Sequence, residues 1–275
     1  DPLWSRGLGD VYKRQFFWGI VAILALLALN VIKDPTYLAL SINPNNGNLV
    51  GNLIDILRQA APIMMIAIGM SLVIATGGID LSVGSLMAVA GAVSMEFLSA
   101  AGDSFGAALA AVGLALVITG ILGAVNGLLV AYVGLQPFIA TLVLMLAGRG
   151  IAKVITGGQN TTASNDAFRW IANGFVIGIP VVFILAVLIV IAVGWVVRRS
   201  ALGLMIEAIG INPRASRMAG IKPKGLLLTA YIMSGILAGI AGIMSVGSVM
   251  TVDISRTGYP VSYTHLRAHE TREDL

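Results

Sequence analysis

Two polar stretches interrupt an otherwise apolar chain, and they hold the side chains best suited to binding a solute or a partner. Residues 77–84 read GGIDLSVG, so Asp80 and Ser82 closely follow two glycines. Residues 198–225 carry six lysine and arginine side chains, and Glu207 is their only acid. The first stretch is suited to a helix break beside a polar route, and the second to contact with a charged surface or a partner.

In the first stretch, Gly77 and Gly78 are predicted to end one helix. Asp80 or Ser82 can cap the next helix, where the helix dipole stabilises negative charge. Irregular backbone inside a membrane protein is tolerated where protein covers it or where it lines a cavity, and transporters use such broken helices beside their substrate route. A tight turn at the membrane edge explains the same residues equally well, so both interpretations stay open.

Two amide side chains, Asn126 and Gln136, are further candidates for a polar route. Either amide can hydrogen-bond a polar solute, and either can bridge neighbouring helices, as such residues commonly do in membranes. The candidate route residues are therefore Gly77, Gly78, Asp80, Ser82, Asn126 and Gln136.

The basic stretch has internal order. Asn212 followed by Pro213 is typical of a helix N-cap and first helical position, and Gly220 stands where a glycine ends a helix. A short helix of about residues 213–219 is therefore predicted, lying across the inner membrane face. Such a helix provides a docking surface for a cytoplasmic partner, although an ordinary solvated loop explains the charge as well.

The residue types that are missing exclude several kinds of chemistry. The chain has no cysteine, and its two histidines, His265 and His269, lie in residues 260–275, which are expected to be non-native for a reason given below. Sites built from His and Cys, thiol nucleophiles and Ser-His triads are therefore not expected, and no catalytic or metal-binding residue is predicted. The pattern GxxxxGK followed by Ser or Thr is also missing, so the chain is not expected to hydrolyse ATP through a P-loop.

The composition is that of a membrane protein with several spans. Hydrophobic residues make up 57% of the 275-residue chain, charged residues make up 11%, and the mean hydropathy is +0.93. About seven apolar spans are predicted, so the fold class is all-α, a polytopic transmembrane helical bundle. The predicted spans cover residues 16–31, 60–75, 83–98, 107–129, 138–155, 175–197 and 226–246.

The distribution of charge predicts the orientation of these spans. Lysine and arginine collect in cytoplasmic loops, which places residues 198–225 inside and the polar loops 33–52 and 157–173 outside. The net charge of +4 therefore indicates membrane orientation and not nucleic-acid binding. Arg149 and Lys153, at the outer end of the fifth span, fit this pattern only if they snorkel, pair with an acid or belong to a re-entrant segment.

Small residues recur in the spans at intervals that suit helix packing. They mark faces where two helices come close together, with the lining of a water-filled path as the alternative. The sets are Gly123 with Gly127, Gly235 with Gly239, and Ser234 with Ala238 and Gly242.

The two ends of the sequence are related to each other at the level of DNA. One back-translation of residues 10–15 (DVYKRQ), reverse-complemented and read in another frame, encodes residues 261–265 (VSYTH). This inversion is typical of a sequencing-library transposon end translated by mistake. We therefore expect residues 1–15 and 260–275 to be non-native, and residues 16–259 to be a truncated transmembrane domain.

Three segments resemble the permease subunits of bacterial ABC-type monosaccharide importers, the group of the ribose, xylose and galactofuranose permeases. They are IATGGIDLSVGSLMAVAGA at residues 74–92, NGLLVAYVGLQPFIATLVLMLAGRGIA at residues 126–152, and ALGLMIEAIGINPRASRMAGI at residues 201–221. The resemblance covers nearly all of residues 16–252. Parts of the second and third segments are most similar to the galactofuranose importer permease.

The resemblance implies a set of partners. Two permease subunits, identical or paralogous, form the pore in the bacterial inner membrane, two ATPase subunits bind the cytoplasmic face, and a periplasmic protein delivers the sugar. No cofactor is expected in this chain, because ATP and Mg²⁺ bind to the partner ATPase. Residues 198–225 then form the coupling loop, and Glu207, Ala208, Gly210 and Asn212 match its family motif. With the predicted helix, the coupling residues are Glu207, Ala208, Gly210, Asn212, Pro213, Arg214, Ala215 and Gly220.

The predicted function is import of a monosaccharide, a pentose or a galactofuranose-like sugar, by alternating access driven by a separate ATPase subunit. The chain itself is not expected to be an enzyme. A permease for branched-chain amino acids and an ion-coupled secondary transporter are the alternatives. The second alternative needs titratable residues along the spans, and these are few.

Overall fold

The structure is a computed structural model that describes residues 3–254, except 43, 45 and 46, together with residues 257 and 258. Of residues 3–16 it describes the backbone alone. The chain divides into two compact units, Asp1–Ile56 and Leu57–Leu275. The predicted non-native end at residues 260–275 lies outside the described residues, and residues 3–15 of the predicted non-native start belong to the first helix.

The first unit contains one long helix and a short hairpin. Helix α1, Leu3–Lys33, includes the first predicted span, and its apolar segment Phe17–Lys33 is shorter than the other spans. The predicted loop 33–52 holds strands β1, Ser41–Ile42, and β2, Leu49–Val50, which pair antiparallel.

Six helices in the described part of the chain are long and apolar enough to cross a membrane, which confirms the polytopic helical bundle. The elements in order are α2 (Asn52–Ala75), α3 (Val83–Ala101), α4 (Phe105–Leu128) with a π-helical turn (Leu129–Val133), α5 (Pro137–Ile155), β3 (Thr161–Thr162), α6 (Asp166–Asn173), β4 (Phe175–Val176), β5 (Ile179–Pro180), α7 (Val181–Arg199), α8 (Ala201–Ile211), α9 (Pro213–Met218), α10 (Pro223–Val249) and β6 (Thr251–Val252). The spans are α2, α3, α4 with its π-helical turn, α5, α7 and α10.

The structure differs from the sequence prediction in three segments. The sixth span begins at Val181 and not at Phe175, because the residues between them form a hairpin of β4 and β5. The predicted polar loop 157–173 contains α6, whose N-cap Asn165 accepts a 2.9 Å hydrogen bond from the backbone N–H of Phe168. The basic stretch contains α8 in addition to the predicted short helix.

In the second unit, the segments that connect the long helices lie at one or the other end of the bundle. Strand β3 pairs with β6, and Asn173 donates to the backbone carbonyl of Ser248 at 2.9 Å, so these segments share one end. Lys224 lies over Tyr132 at the other end, 5.3 Å from the centre of its ring. We call this second end, with residues 76–82, 134–136 and 198–225, the basic end, and the first the opposite end. The basic end has the charge expected of a cytoplasmic side.

Arg149 lies towards the opposite end, where its guanidinium group donates hydrogen bonds to the backbone. Its Nη1 donates to the backbone carbonyls of Ile254 at 3.2 Å and Thr257 at 3.0 Å. Backbone carbonyls therefore stabilise the guanidinium in this half-buried position. Lys153, one helical turn further on, is exposed.

Helix α10 approaches α4 and α3 closely because small residues face the neighbouring backbone. A Cβ on Gly123 would lie 2.5 Å from the carbonyl oxygen of Tyr231 and 3.2 Å from the Cα of Gly235. A Cβ on Gly242 would lie 2.5 Å from the carbonyl oxygen of Met87 in α3. The predicted packing faces are confirmed, and they let the helices associate through close backbone contact.

Replacing Gly123 with alanine tests this crossing. The added methyl group would meet the carbonyl oxygen of Tyr231, so α4 and α10 must move apart. We expect the free energy of unfolding in detergent to fall by about 1–3 kcal/mol. Gly113→Ala in the same helix is the control, because nothing lies within 4 Å of its Cβ. Equal stability of the two variants would contradict the close packing.

Candidate functional site

The predicted helix break between α2 and α3 is confirmed, and a buried carboxylate lies at its centre. Gly77 adopts left-handed backbone with a φ of 79°, and α3 begins at Val83. Asp80 is 1% exposed. Its carboxylate accepts hydrogen bonds from the backbone N–H of Ser82 at 3.0 Å, the hydroxyl of Ser82 at 2.6 Å and the hydroxyl of Ser234 in α10 at 2.7 Å. Asp80 therefore links the segment between α2 and α3 to α10 by a hydrogen bond.

Ser82 and Asn126 extend this cluster to α4. Asp80 and Ser82 are the two predicted alternatives for capping α3; Ser82 occupies the N-cap position, but its side chain makes no capping hydrogen bond. Its hydroxyl donates to Asp80 and accepts a 2.9 Å hydrogen bond from Asn126 Nδ2. Asn126 is fully buried, and its Oδ1 has no hydrogen-bond partner within the described residues. Asn126 therefore links α4 to the start of α3, which is the helix-bridging interpretation of this residue.

Gly78 completes the buried cluster, and the other two candidates lie outside it. A Cβ on Gly78 would lie 2.9 Å from the hydroxyl of Tyr231, which donates to the backbone carbonyl of Ile79 at 3.3 Å. Gly77 and Gln136 are exposed at the basic end, and Gln136 is the N-cap residue of α5 without a capping side chain. The structure therefore brings Gly78, Asp80, Ser82 and Asn126 together and leaves Gly77 and Gln136 apart.

A cavity of about 700 Å³ at the opposite end is a candidate solute site that sequence reasoning missed. Helices α2, α3 and α10 line it, and its polar side chains include Arg58, Asn160, Ser245 and Asp253. None of the predicted route residues lines this cavity. Its residues come from segments far apart in the chain, so no local pattern joins them.

The short helix predicted in the basic stretch is confirmed as α9. Asn212 Oδ1 accepts hydrogen bonds from the backbone N–H groups of Arg214 and Ala215, both at 3.1 Å, which is the predicted capping. The helix ends at Met218, one residue earlier than predicted, and Gly220 follows with a φ of 85°.

The predicted coupling residues form an exposed surface, here called the coupling surface. Seven of them are exposed and Ala208 is half-buried; the seven are Glu207, Gly210, Asn212, Pro213, Arg214, Ala215 and Gly220. Two large apolar side chains beside them are also exposed, Met218 at 91% and Ile211 at 79%. Exposed apolar side chains beside polar and charged residues are suited to a protein interface.

The coupling surface also touches the helix break. A Cβ on Gly210 would clash with the carbonyl oxygen of Ala75, the last residue of α2, and would lie 3.8 Å from the backbone nitrogen of Gly77. Helix α8 therefore lies directly against the residues that lead into the buried cluster. Sequence reasoning missed this contact, because its residues are far apart in the chain.

The fold and these sites define a polytopic membrane subunit with an exposed basic surface and, in its described residues, no cluster of three metal-binding acids, histidines or cysteines. A family model described as branched-chain amino acid transport system / permease component matches residues 52–266. The chain belongs to this family of membrane permeases, and it is a multi-pass inner-membrane permease subunit of an ABC-type importer.

Three curated relatives place the chain within that family. It is 54% identical over 245 residues to the fructose import permease protein FruF of Bifidobacterium longum, which covers 88% of this chain and 68% of the relative. It is 42% identical to the galactofuranose transporter permease protein YtfT of Escherichia coli, covering 90% of this chain and 72% of the relative. It is 36% identical to the ribose import permease protein RbsC of Escherichia coli, covering 87% and 72%.

The sequence motifs are most similar to those of the galactofuranose permease. Over the aligned residues, however, the identity is higher with the fructose permease than with the galactofuranose permease. No solved structure matches the chain significantly.

Proposed function

We propose that this chain is the membrane-spanning subunit of an ABC importer that moves a monosaccharide across the inner membrane. The observation that carries the proposal is the similarity to fructose, galactofuranose and ribose permeases over 87–90% of the chain. The matching family description names branched-chain amino acids, but these three relatives are sugar permeases. Sugar is therefore the better-supported substrate class.

The energy for transport comes from ATPase subunits that dock on the coupling surface. ATP and Mg²⁺ bind to those subunits, and the proposal assigns no cofactor and no catalytic role to this chain. The exposed Met218 and Ile211 support a protein interface there. Because α8 lies against Ala75, a push on the coupling surface moves the end of α2 and the helix break.

The hydrogen bonds of Asp80 and Ser82 pass this movement to α10 and α4. Two states that differ in the tilt of these helices expose the route alternately to either side. ATP shifts the balance between them only because the ATPase binds the two states with different affinities. The cavity at the opposite end is where the sugar enters from a periplasmic binding protein, and a second permease subunit completes the pore.

Uptake measurements with the complete permease, its ATPase and its binding protein test this function. We expect accumulation of a labelled monosaccharide that stops when ATP is depleted and continues when an uncoupler dissipates the ion gradient. Unlabelled fructose, ribose or galactofuranose should compete, and leucine should not. Competition by leucine alone would favour the amino-acid alternative, and loss of uptake with the uncoupler at constant ATP would favour the ion-coupled one.

A further inference from the structure

A second cavity, which adjoins the coupling surface and shares Gly220 with it, combines positive charge with a position at the edge of the membrane-spanning region. It has a volume of about 630 Å³ and lies where the residues after α9 lead into α10. Arg217, Lys222 and Lys224 line it together with Tyr132, and none of its lining residues is acidic.

Within the described residues, no carboxylate forms an ion pair with any of the three cations, and all three side chains are exposed. Lys224 Nζ lies 5.3 Å from the centre of the Tyr132 ring, a cation–π contact that holds this ammonium group beside the cavity. Like charges around one concave surface repel each other, and a bound anion relieves that repulsion.

The start of α10 adds backbone donors to the same cavity. Lys222 is the N-cap residue and makes no side-chain cap, so the first N–H groups of this 27-residue helix lack a capping side chain. Nothing lies within 4 Å of a Cβ built on Gly225, so the space beside the first turn of the helix is open. The helix dipole adds positive potential at this point.

The position of the cavity at the start of a membrane-spanning helix points to the source of the anion. Helix α10 crosses the membrane, so its first residue, Pro223, lies close to the level of the lipid headgroups. Tyr132 is 54% exposed, and tyrosine concentrates at this level because its ring is apolar and its tip polar. Basic pockets between spans on the cytoplasmic side bind anionic headgroups. We propose that this cavity binds the phosphate headgroup of an anionic phospholipid.

Native mass spectrometry of the purified protein in detergent, titrated with short-chain phosphatidylglycerol, tests the proposal. We expect one saturable phosphatidylglycerol site, with phosphatidylcholine binding far more weakly. The double variant Lys222→Gln, Lys224→Gln should weaken phosphatidylglycerol binding about 30-fold, because each cation near an anionic headgroup raises the affinity about fivefold and both are removed. Lys222→Arg, Lys224→Arg keeps the charge and should retain binding.

The matched control is Arg198→Gln, Arg199→Gln, which removes the same charge from the end of α7 at the basic end. Equal weakening by this control would show general surface attraction and overturn the site. Unchanged lipid binding in the lysine-to-glutamine variant would overturn it as well. Binding of inorganic phosphate, in place of phosphatidylglycerol, to the unmodified cavity would overturn the lipid as its occupant.

Discussion

Replacement of Gly210 with leucine is expected to abolish transport while leaving the permease assembled with its ATPase. The leucine side chain cannot fit against the carbonyl oxygen of Ala75, so α8 must move away from the end of α2. The contact through which the ATPase acts on the helix break is then lost. Couplings between sites are typically worth 1–3 kcal/mol, so ATPase activity stimulated by the sugar-loaded binding protein should fall by roughly tenfold or more.

The control for this variant is Gly113→Leu, a glycine in α4 with nothing within 4 Å of its Cβ. Co-purification of the ATPase with both variants separates lost coupling from lost folding. If Gly210→Leu supports sugar uptake and stimulated ATPase activity at the level of Gly113→Leu, Gly210 has no coupling role.

Replacement of Asp80 with leucine is expected to destabilise the protein severely. The change leaves the N–H and hydroxyl of Ser82 and the hydroxyl of Ser234 without their shared acceptor in a buried position. Buried unpaired donors cost about 1–3 kcal/mol each, so we expect a loss of roughly 3 kcal/mol or more. A typical protein has about 5–15 kcal/mol of stability in total. Unfolding in detergent and the yield of folded protein measure the loss.

Asp80→Asn separates the structural role from a role in the solute route. The asparagine keeps the size and one oxygen, and the hydroxyl of Ser234 can reverse to accept from its amide. We expect this variant to retain most of its stability. A fully stable Asp80→Leu protein that no longer transports sugar would contradict the structural role and would return Asp80 to the solute route.

Local patterns predicted the parts of this molecule that depend on neighbouring residues. The capping of α9 by Asn212 follows from two adjacent side chains, and the end of α2 at Ala75, just before Gly77 and Gly78, follows from the glycines themselves. Small residues at helical intervals predict that Gly123 and Gly235 each lie on a close-packed helix face, and the structure shows that these two faces pack against each other.

The remaining features depend on long-range contacts or on competing local patterns. The hydrogen bond from Ser234 to Asp80 joins residues 154 positions apart, so no spacing in the sequence indicates it. Helix α8 has 11 residues, too few for a span, so the search for apolar spans does not separate it from the basic loop around it. The hairpin at β4 and β5 is apolar, and its sequence joins the following span without a polar boundary.

The central claim, that an ATPase on the cytoplasmic side moves this permease through its basic end, is tested most directly by labelling. The chain has no cysteine, so Met218→Cys and Ile177→Cys each provide a single thiol, at residues 91% and 94% exposed on opposite ends. In intact cells, a membrane-impermeant maleimide should label the cysteine at 177 and not the one at 218. After the membrane is opened, position 218 should react, and bound ATPase should protect it. Labelling of position 218 from outside the intact cell would contradict the account.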